Sequence, residues 1–165
     1  MKIGVISDTH DHVDHIDVAI RKFSELGIDT ILHAGDYCSP FTIPPFEGFT
    51  LIGVFGNNDG DHFRLIRQFR NINGEIHNEF HELTLGGRKI ALYHGTREPI
   101  TNALVQCGNY DLVITGHTHT PEKHLHGQTL SFNPGSVHGF RMSPTIGVYD
   151  TEKHKAEHIE LTLLS

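Results

Sequence analysis

A chain of 165 residues with 37% apolar content and no tryptophan is long enough to bury a proper core, and residues 1–165 read as one domain. No run approaches the length needed to cross a bilayer. The formal net charge of −7 argues against a dedicated nucleic-acid binder, which would carry a basic face.

Met1 to Asp8 is too short and too soon acidic for a secretory signal and reads as a first core strand. Cys38 and Cys107 are far apart and in no redox or metal spacing, so reduced thiols and a cytoplasmic location are expected. Lys2 to Ser7 is the strand, and Asp8-Thr9-His10-Asp11 the polar turn after it. Val13, Ile16, Ala19, Ile20 and Phe23 recur at helical spacing up to Leu26, with Gly27 as the stop. Thr30 to His33 is a second strand, which makes a βαβ unit and a parallel pairing.

Cys38 to Phe49, with Pro40, Pro44, Pro45 and Gly48, reads as an irregular segment or a short broken helix, its phenylalanines tucked into the core. Leu51 to Phe55 is a third strand closed by Gly56-Asn57-Asn58-Asp59. Asp61 is placed to cap a helix over His62–Arg70 that turns Arg64, Arg67 and Arg70 outward, a solvated face in the ordinary reading. Residues 79–85 and 89–93 form a hairpin around Gly86-Gly87, ending at His94-Gly95. Pro99 to Gln106 is helical, and Leu112 to Thr115 is a strand running into Gly116-His117-Thr118-His119. Beyond Pro121, short strands over 122–125, 128–132, 145–150 and 156–163 predict antiparallel β.

Five strand ends therefore finish in metal-ligating side chains: Asp8 and His10, Asp36, Asn57, His94, then His117 and His119. Taken singly, each has an ordinary reading. Asp8 suits a helix cap, His10 the surface, Asp36 and Asn57 a turn, and His94 the core. A His-x-His pair arises easily in a chain with fifteen histidines. It is the coincidence at successive carboxyl ends, where α/β sheets place their sites, that turn chemistry does not explain. Two carboxylates, one amide and four imidazoles exceed one ion's ordinary demand and suit two divalent ions sharing a water. Oxygen and nitrogen donors without thiolate favour Mn, Fe, Co, Ni or Zn over a structural zinc or a calcium cage.

Asp8-x-His10, Gly35-Asp36, Gly56-Asn57-x-Asp59, His94-Gly95 and Gly116-His117-x-His119 resemble the five blocks of the calcineurin-like metallophosphoesterases, in the family's order. The likeness is greatest to the small prokaryotic phosphodiesterases, whose tail Asn133-Pro134-Gly135-Ser136 and Arg141 also resemble. The resemblance implies an α/β fold, a four-layer α/β/β/α sandwich with mixed sheets. It further implies that Asp8, His10, Asp36 and His119 hold one metal, and that Asp36 (bridging), Asn57, His94 and His117 hold the other. Manganese is the expected metal.

The implied activity is that of a phosphodiesterase in which a metal-bridging hydroxide attacks phosphorus in line, between ions about 3.5–4 Å apart. One position departs from the pattern. Many relatives carry a histidine after the metal-binding Asn, where this chain has Asn58, which holds no proton to give at neutral pH. Asn58 is expected to contact substrate through its amide, with His138 as a stand-in acid and Ser136 beside the substrate. His33 is expected to be buried, behind the ligands or in the core, and Asp59 to orient the Asn57 loop or a ligand histidine rather than touch metal. Asp11, His12, His15, His124, His126, His154 and His158 are read as surface residues.

The expected partner is a small phosphodiester or nucleotide-like substrate, with no membrane; a homo-oligomer stays open. Two other readings remain. One is a protein-binding scaffold like the retromer subunit of this fold, which has a degraded metal site. The other is a phosphomonoesterase or nucleotidase.

Overall fold

The structure, a computed structural model, describes residues 1–140 and 142–162; Arg141 and the end of the last predicted strand lie outside the described residues. Among the described residues, eleven strands and three α-helices run in chain order as β1 (Lys2–Ile6), α1 (Val13–Glu25), β2 (Thr30–His33), β3 (Thr50–Val54), α2 (His62–Asn71) and β4 (Glu75–His77). They continue as β5 (Phe80–Leu85), β6 (Arg88–Tyr93), α3 (Glu98–Gln106), β7 (Leu112–Ile114), β8 (Glu122–His126), β9 (Thr129–Asn133), β10 (Thr145–Asp150) and β11 (Lys155–Glu160).

Two mixed sheets result. The first has the order β11-β10-β1-β2-β3-β4 and the second β5-β6-β7-β9-β8. Strands β1 to β4 are mutually parallel, as are β6, β7 and β9. The crossover helices α1 and α2 therefore cover one sheet and α3 the other.

The alternation of side chains along each strand sorts the core into layers. Ile3, Val5, Leu32 and Ile52 meet Ile90, Leu92, Leu112 and Phe132 between the sheets. Their neighbours Ile6, Ile31 and Leu51 face Ile16 and Phe23 of α1 and Leu65 and Phe69 of α2. Ala91 and Val113 face Val105 of α3. This is the α/β/β/α order that the resemblance implied. Each buried aliphatic or aromatic side chain contributes roughly 1.5–3 kcal/mol.

Three expectations change. The antiparallel C-terminal strands are divided: β8 and β9 close the second sheet, whereas β10 and β11 return to the first by pairing with β1. β4 was not anticipated, because Glu75-Ile76-His77 is short and two-thirds polar; it pairs as an edge beside β3. Residues 40–46 form two short 3₁₀ turns, the broken helix of the two alternatives, but only Phe46 is fully tucked in as expected, while Phe41 points outward.

Candidate metal centre

The parallel strands end together, so the segments after them meet along a shared edge of the two sheets. Hydrogen bonds cross the seam: His117 N–H donates to Asp8 Oδ2 (3.0 Å), and Gly116 N–H donates to the His94 carbonyl (2.8 Å). The His94 ring bonds the Ala34 carbonyl through Nδ1 (2.7 Å). Tight approach requires glycine at two points. A Cβ on Gly56 would strike the Asp36 carboxylate, and one on Gly116 would strike Ser7 Oγ and Asp8 Oδ2.

The backbone here is bent into left-handed geometry that side chains resist. Asp8, His10, Asp36, His117 and His119 have φ of 53°, 39°, 61°, 68° and 60°. Such conformations cost of order 1–3 kcal/mol each and persist where surrounding structure dictates them.

One ligand atom from each of Asp8, His10, Asp36 and His119 lies within 4.8 Å of all the others. His10 Nε2 and His119 Nε2 face each other at 3.2 Å. Asp8 Oδ2 is held by Ser7 Oγ (2.6 Å), which leaves Oδ1 buried with no hydrogen-bond partner, 3.3 Å from His119 Nε2. Converging imidazole nitrogens around an orphaned carboxylate oxygen are the electrostatics of a cation site.

A second group adjoins the first. His94 Nε2 sits 3.0 Å from Asn57 Oδ1 and 3.4 Å from Asp36 Oδ1, and the His94 and His117 ring centroids are 5.3 Å apart. With Nδ1–H donated to Ala34, His94 presents its Nε2 lone pair to that space, the arrangement that fixes a metal-ligating tautomer. The donors thus fit divalent metal.

The charges agree with that. Burial opposes ionisation of Asp8, yet the imidazoles of His10 and His119 hold its carboxyl well below the ordinary range. Asp36 is likewise lowered, by His94 and the Asn58 amide against the cost of burial. Burial also works against a charge on His94, and the Asp36 carboxylate overrides it, raising the imidazole. His117 is lowered by its own burial and by His94.

The other predicted site residues are placed as follows. Asn58 is exposed, donating through Nδ2 (2.7 Å) to Asp36 Oδ2 and through its N–H (2.9 Å) to Oδ1. His138 is half-buried with its ring 5.6 Å from that of His10, and its Nδ1 is buried without a partner among the described residues. Ser136 is not free to touch a substrate as it stands. It is buried, and its hydroxyl proton goes to the Asp8 carbonyl (2.9 Å). His33 is fully buried beside Thr9 and Tyr37, as expected of a core residue.

Asp59 does more than orient one loop. Its carboxylate accepts from the N–H groups of Asp36 (3.0 Å), Gly56 (2.7 Å) and Cys38 (2.8 Å), stapling the β2 and β3 ends together. Burial raises its pKa, and those N–H bonds pull the other way.

Several positions read as surface are structural. His15 Nδ1 bonds the Val137 carbonyl, His158 Nε2 the Asn133 carbonyl, and His154 bridges Tyr149 and Gln128. Exposed Asp11 ties down Ser39 by two bonds.

Sequence reasoning missed Ser7, Asn133 and Cys38 as supports. Asn133 Nδ2 donates to the Gly116 carbonyl (2.8 Å), steadying the His117 loop, and its Asn-Pro-Gly context was the available signal. Cys38 Sγ lies 3.3 Å from His10 Nδ1, with burial pushing the thiol up to about 12, so it faces the ring as a thiol. Nothing in the sequence foretold that contact.

An α/β/β/α sandwich that gathers carboxylates, an amide and imidazoles at its joined sheet edges defines a metal-dependent hydrolase scaffold. The chain belongs to the calcineurin-like phosphoesterase superfamily, whose domain profile matches residues 1–154. It is similar to a phosphodiesterase of Methanocaldococcus jannaschii, 38% identical over 165 residues that cover 98% of this chain and 99% of the relative. A solved archaeal phosphodiesterase superimposes with a TM-score of 0.92 at 37% identity, covering 98% of this chain and 100% of that one. Vps29 of Entamoeba histolytica in complex with zinc superimposes with a TM-score of 0.65 at 22% identity, covering 98% and 100%, a likeness of fold alone.

Proposed function

We propose that the chain is a phosphodiesterase that works with two divalent metal ions. Manganese is the expected pair, and nickel, iron, cobalt or zinc also suit the donors. The observation that carries this reading is the Asp36 carboxylate. Its Oδ2 lies 3.5 Å from His10 Nε2 and its Oδ1 3.4 Å from His94 Nε2, one oxygen toward each donor group. Asp8, His10, Asp36 and His119 would hold one ion, and Asp36, Asn57, His94 and His117 the other. Divalent metal held by these residues would supply an activated water at neutral pH and charge neutralisation for the phosphoryl group.

The chain's own groups set the geometry. Ser7 and the His117 N–H hold Asp8 Oδ2, so that Oδ1 faces the ion site. Ala34 fixes the His94 tautomer. The exposed Asn58 amide, now on Asp36, would hold a phosphate oxygen. His138, with its ring 5.6 Å from that of His10, would be at most a weak donor to the leaving alkoxide, because burial and the neighbouring His10 lower its pKa. Ser136 acts through the Asp8 backbone. The substrate is a small phosphodiester, nucleotide-like or simpler. Among the described residues no helix is long and apolar enough to cross a membrane. The free thiols of Cys38 and Cys107 support a reducing cytoplasmic setting.

Metal content alone does not separate a hydrolase from a metal-holding scaffold, so turnover is the deciding readout. Protein loaded with manganese should cleave bis(p-nitrophenyl) phosphate in preference to p-nitrophenyl phosphate. Activity should vanish with chelator, return with manganese, and fall roughly 100-fold or more in Asp36→Asn. Cleavage of the monoester alone would make it a phosphomonoesterase. No cleavage of either by fully loaded protein would leave the scaffold.

A further inference from the structure

We infer that the concavity beside the second donor group is a subsite for a planar aromatic substituent of the substrate, an inference that rests on the phosphodiesterase reading above. The concavity has a volume of about 420 Å³ and is lined by Phe55, His62, Asn78, Glu79 and Phe80. That is within the ordinary range for small-molecule sites.

Its place in the fold ties it to the centre. Phe55 directly precedes Gly56-Asn57, and the Phe55 N–H donates to the carbonyls of His77 (3.3 Å) and Asn78 (3.2 Å). The His94 N–H donates to the Glu79 carbonyl at 3.3 Å. The wall of the concavity is therefore one backbone hydrogen bond from His94 and two residues from Asn57.

Its chemistry selects a ring. Phe55 is almost fully buried as a floor, and the exposed His62 ring lies on it at 4.0 Å with planes 17° apart. Phe80, at the start of β5, leaves 41% of its surface open. The outer face of the His62 ring, backed by buried Phe55, and the open ring of Phe80 offer stacking faces. The lining includes no Lys or Arg, and Glu79 is an anion, so a second phosphate is disfavoured and a neutral ring is not. The exposed Asn78 amide adds one donor and one acceptor for the edge of a base.

The test is calorimetric binding of phenylphosphonate and methylphosphonate to the manganese-loaded protein. The two share one headgroup and differ only in the ring. Phenylphosphonate should bind about tenfold tighter, within what one stacked ring contributes. That ratio should persist in Phe80→Tyr, which keeps the ring, and fall several-fold in Phe80→Leu, which keeps the bulk. A ratio near one in the unmodified protein, or one undiminished in Phe80→Leu, overturns the subsite while leaving the phosphodiesterase reading intact. Failure of the loaded protein to bind either phosphonate overturns the subsite, and the phosphodiesterase reading is then decided by turnover of the diester. Adenosine 5′-monophosphate against ribose 5-phosphate then separates the two sources of a ring. An excess as large as that for phenyl assigns a nucleotide ester, and an excess for phenyl alone assigns a smaller aryl ester.

Discussion

The Asn58 amide bonds Asp36 and carries no proton to give to a leaving group at neutral pH. Leaving-group protonation by a positioned acid is typically worth ~10²–10⁴-fold, so its weakening should appear in which esters are cleaved. Rates for phosphodiesters of graded leaving-group pKa should fall steeply as that pKa rises; a flat series would mean that His138 or another group supplies the proton in full. His33 gives a second expectation at this scale. It is fully buried, and burial pushes its pKa from the ordinary 6.5 down to about 3. Below pH 6.5 the unfolded chain takes up a proton that the folded chain refuses, so stability rises with pH through this window. The contribution is complete above 6.5 and is lost on acidification at about 1.4 kcal/mol per pH unit. Urea unfolding at pH 7, 6 and 5 should show that slope reduced by about one proton in His33→Asn, whose side-chain oxygen still accepts from the Gly35 N–H.

At the scale of the element, α2 is the clearest case of a start signal that the structure uses. Asp61 accepts from the Arg64 N–H at 3.1 Å, one of the orphan donors of the first turn. Leu65 and Phe69 face the core while Arg64, Arg67 and Arg70 stay exposed. Asp61→Ala should cost about 1 kcal/mol in denaturant unfolding, and Asp61→Asn should recover most of it. The hairpin of β5 and β6 also follows its turn residues, Gly86 and Gly87 having φ of 54° and 77°. Gly86 has a second constraint that its turn does not reveal, since a Cβ there would strike Thr151. β4 was missed because an edge strand buries so little that apolar alternation fades, whereas β8 was legible over 122–125 although all five of its residues are exposed.

At the scale of the whole molecule, the site is a seam between two sheets, so metal binding and folding are linked. Free metal at 100 times its dissociation constant would add about 2.7 kcal/mol. For a chain of this size that corresponds to roughly 2–4 °C in Tm per kcal/mol. Chelator should therefore lower the melting temperature of loaded protein by several degrees, with no such shift in Asp36→Asn. The sequence by itself determined which residues end the buried strands, because side-chain periodicity and turn chemistry are local and act within a few positions. That is why Asp8, Asp36, Asn57, His94 and the His117–His119 pair were legible as one group. Only the tertiary structure decided how the strands divide between sheets and what supports the ligands. Those outcomes depend on contacts such as His10 with His119, Ser136 with Asp8 and Cys38 with His10, separated by 109, 128 and 28 positions. No local pattern encodes such pairs; they form when two packed layers bring the ends of their parallel strands to the same edge.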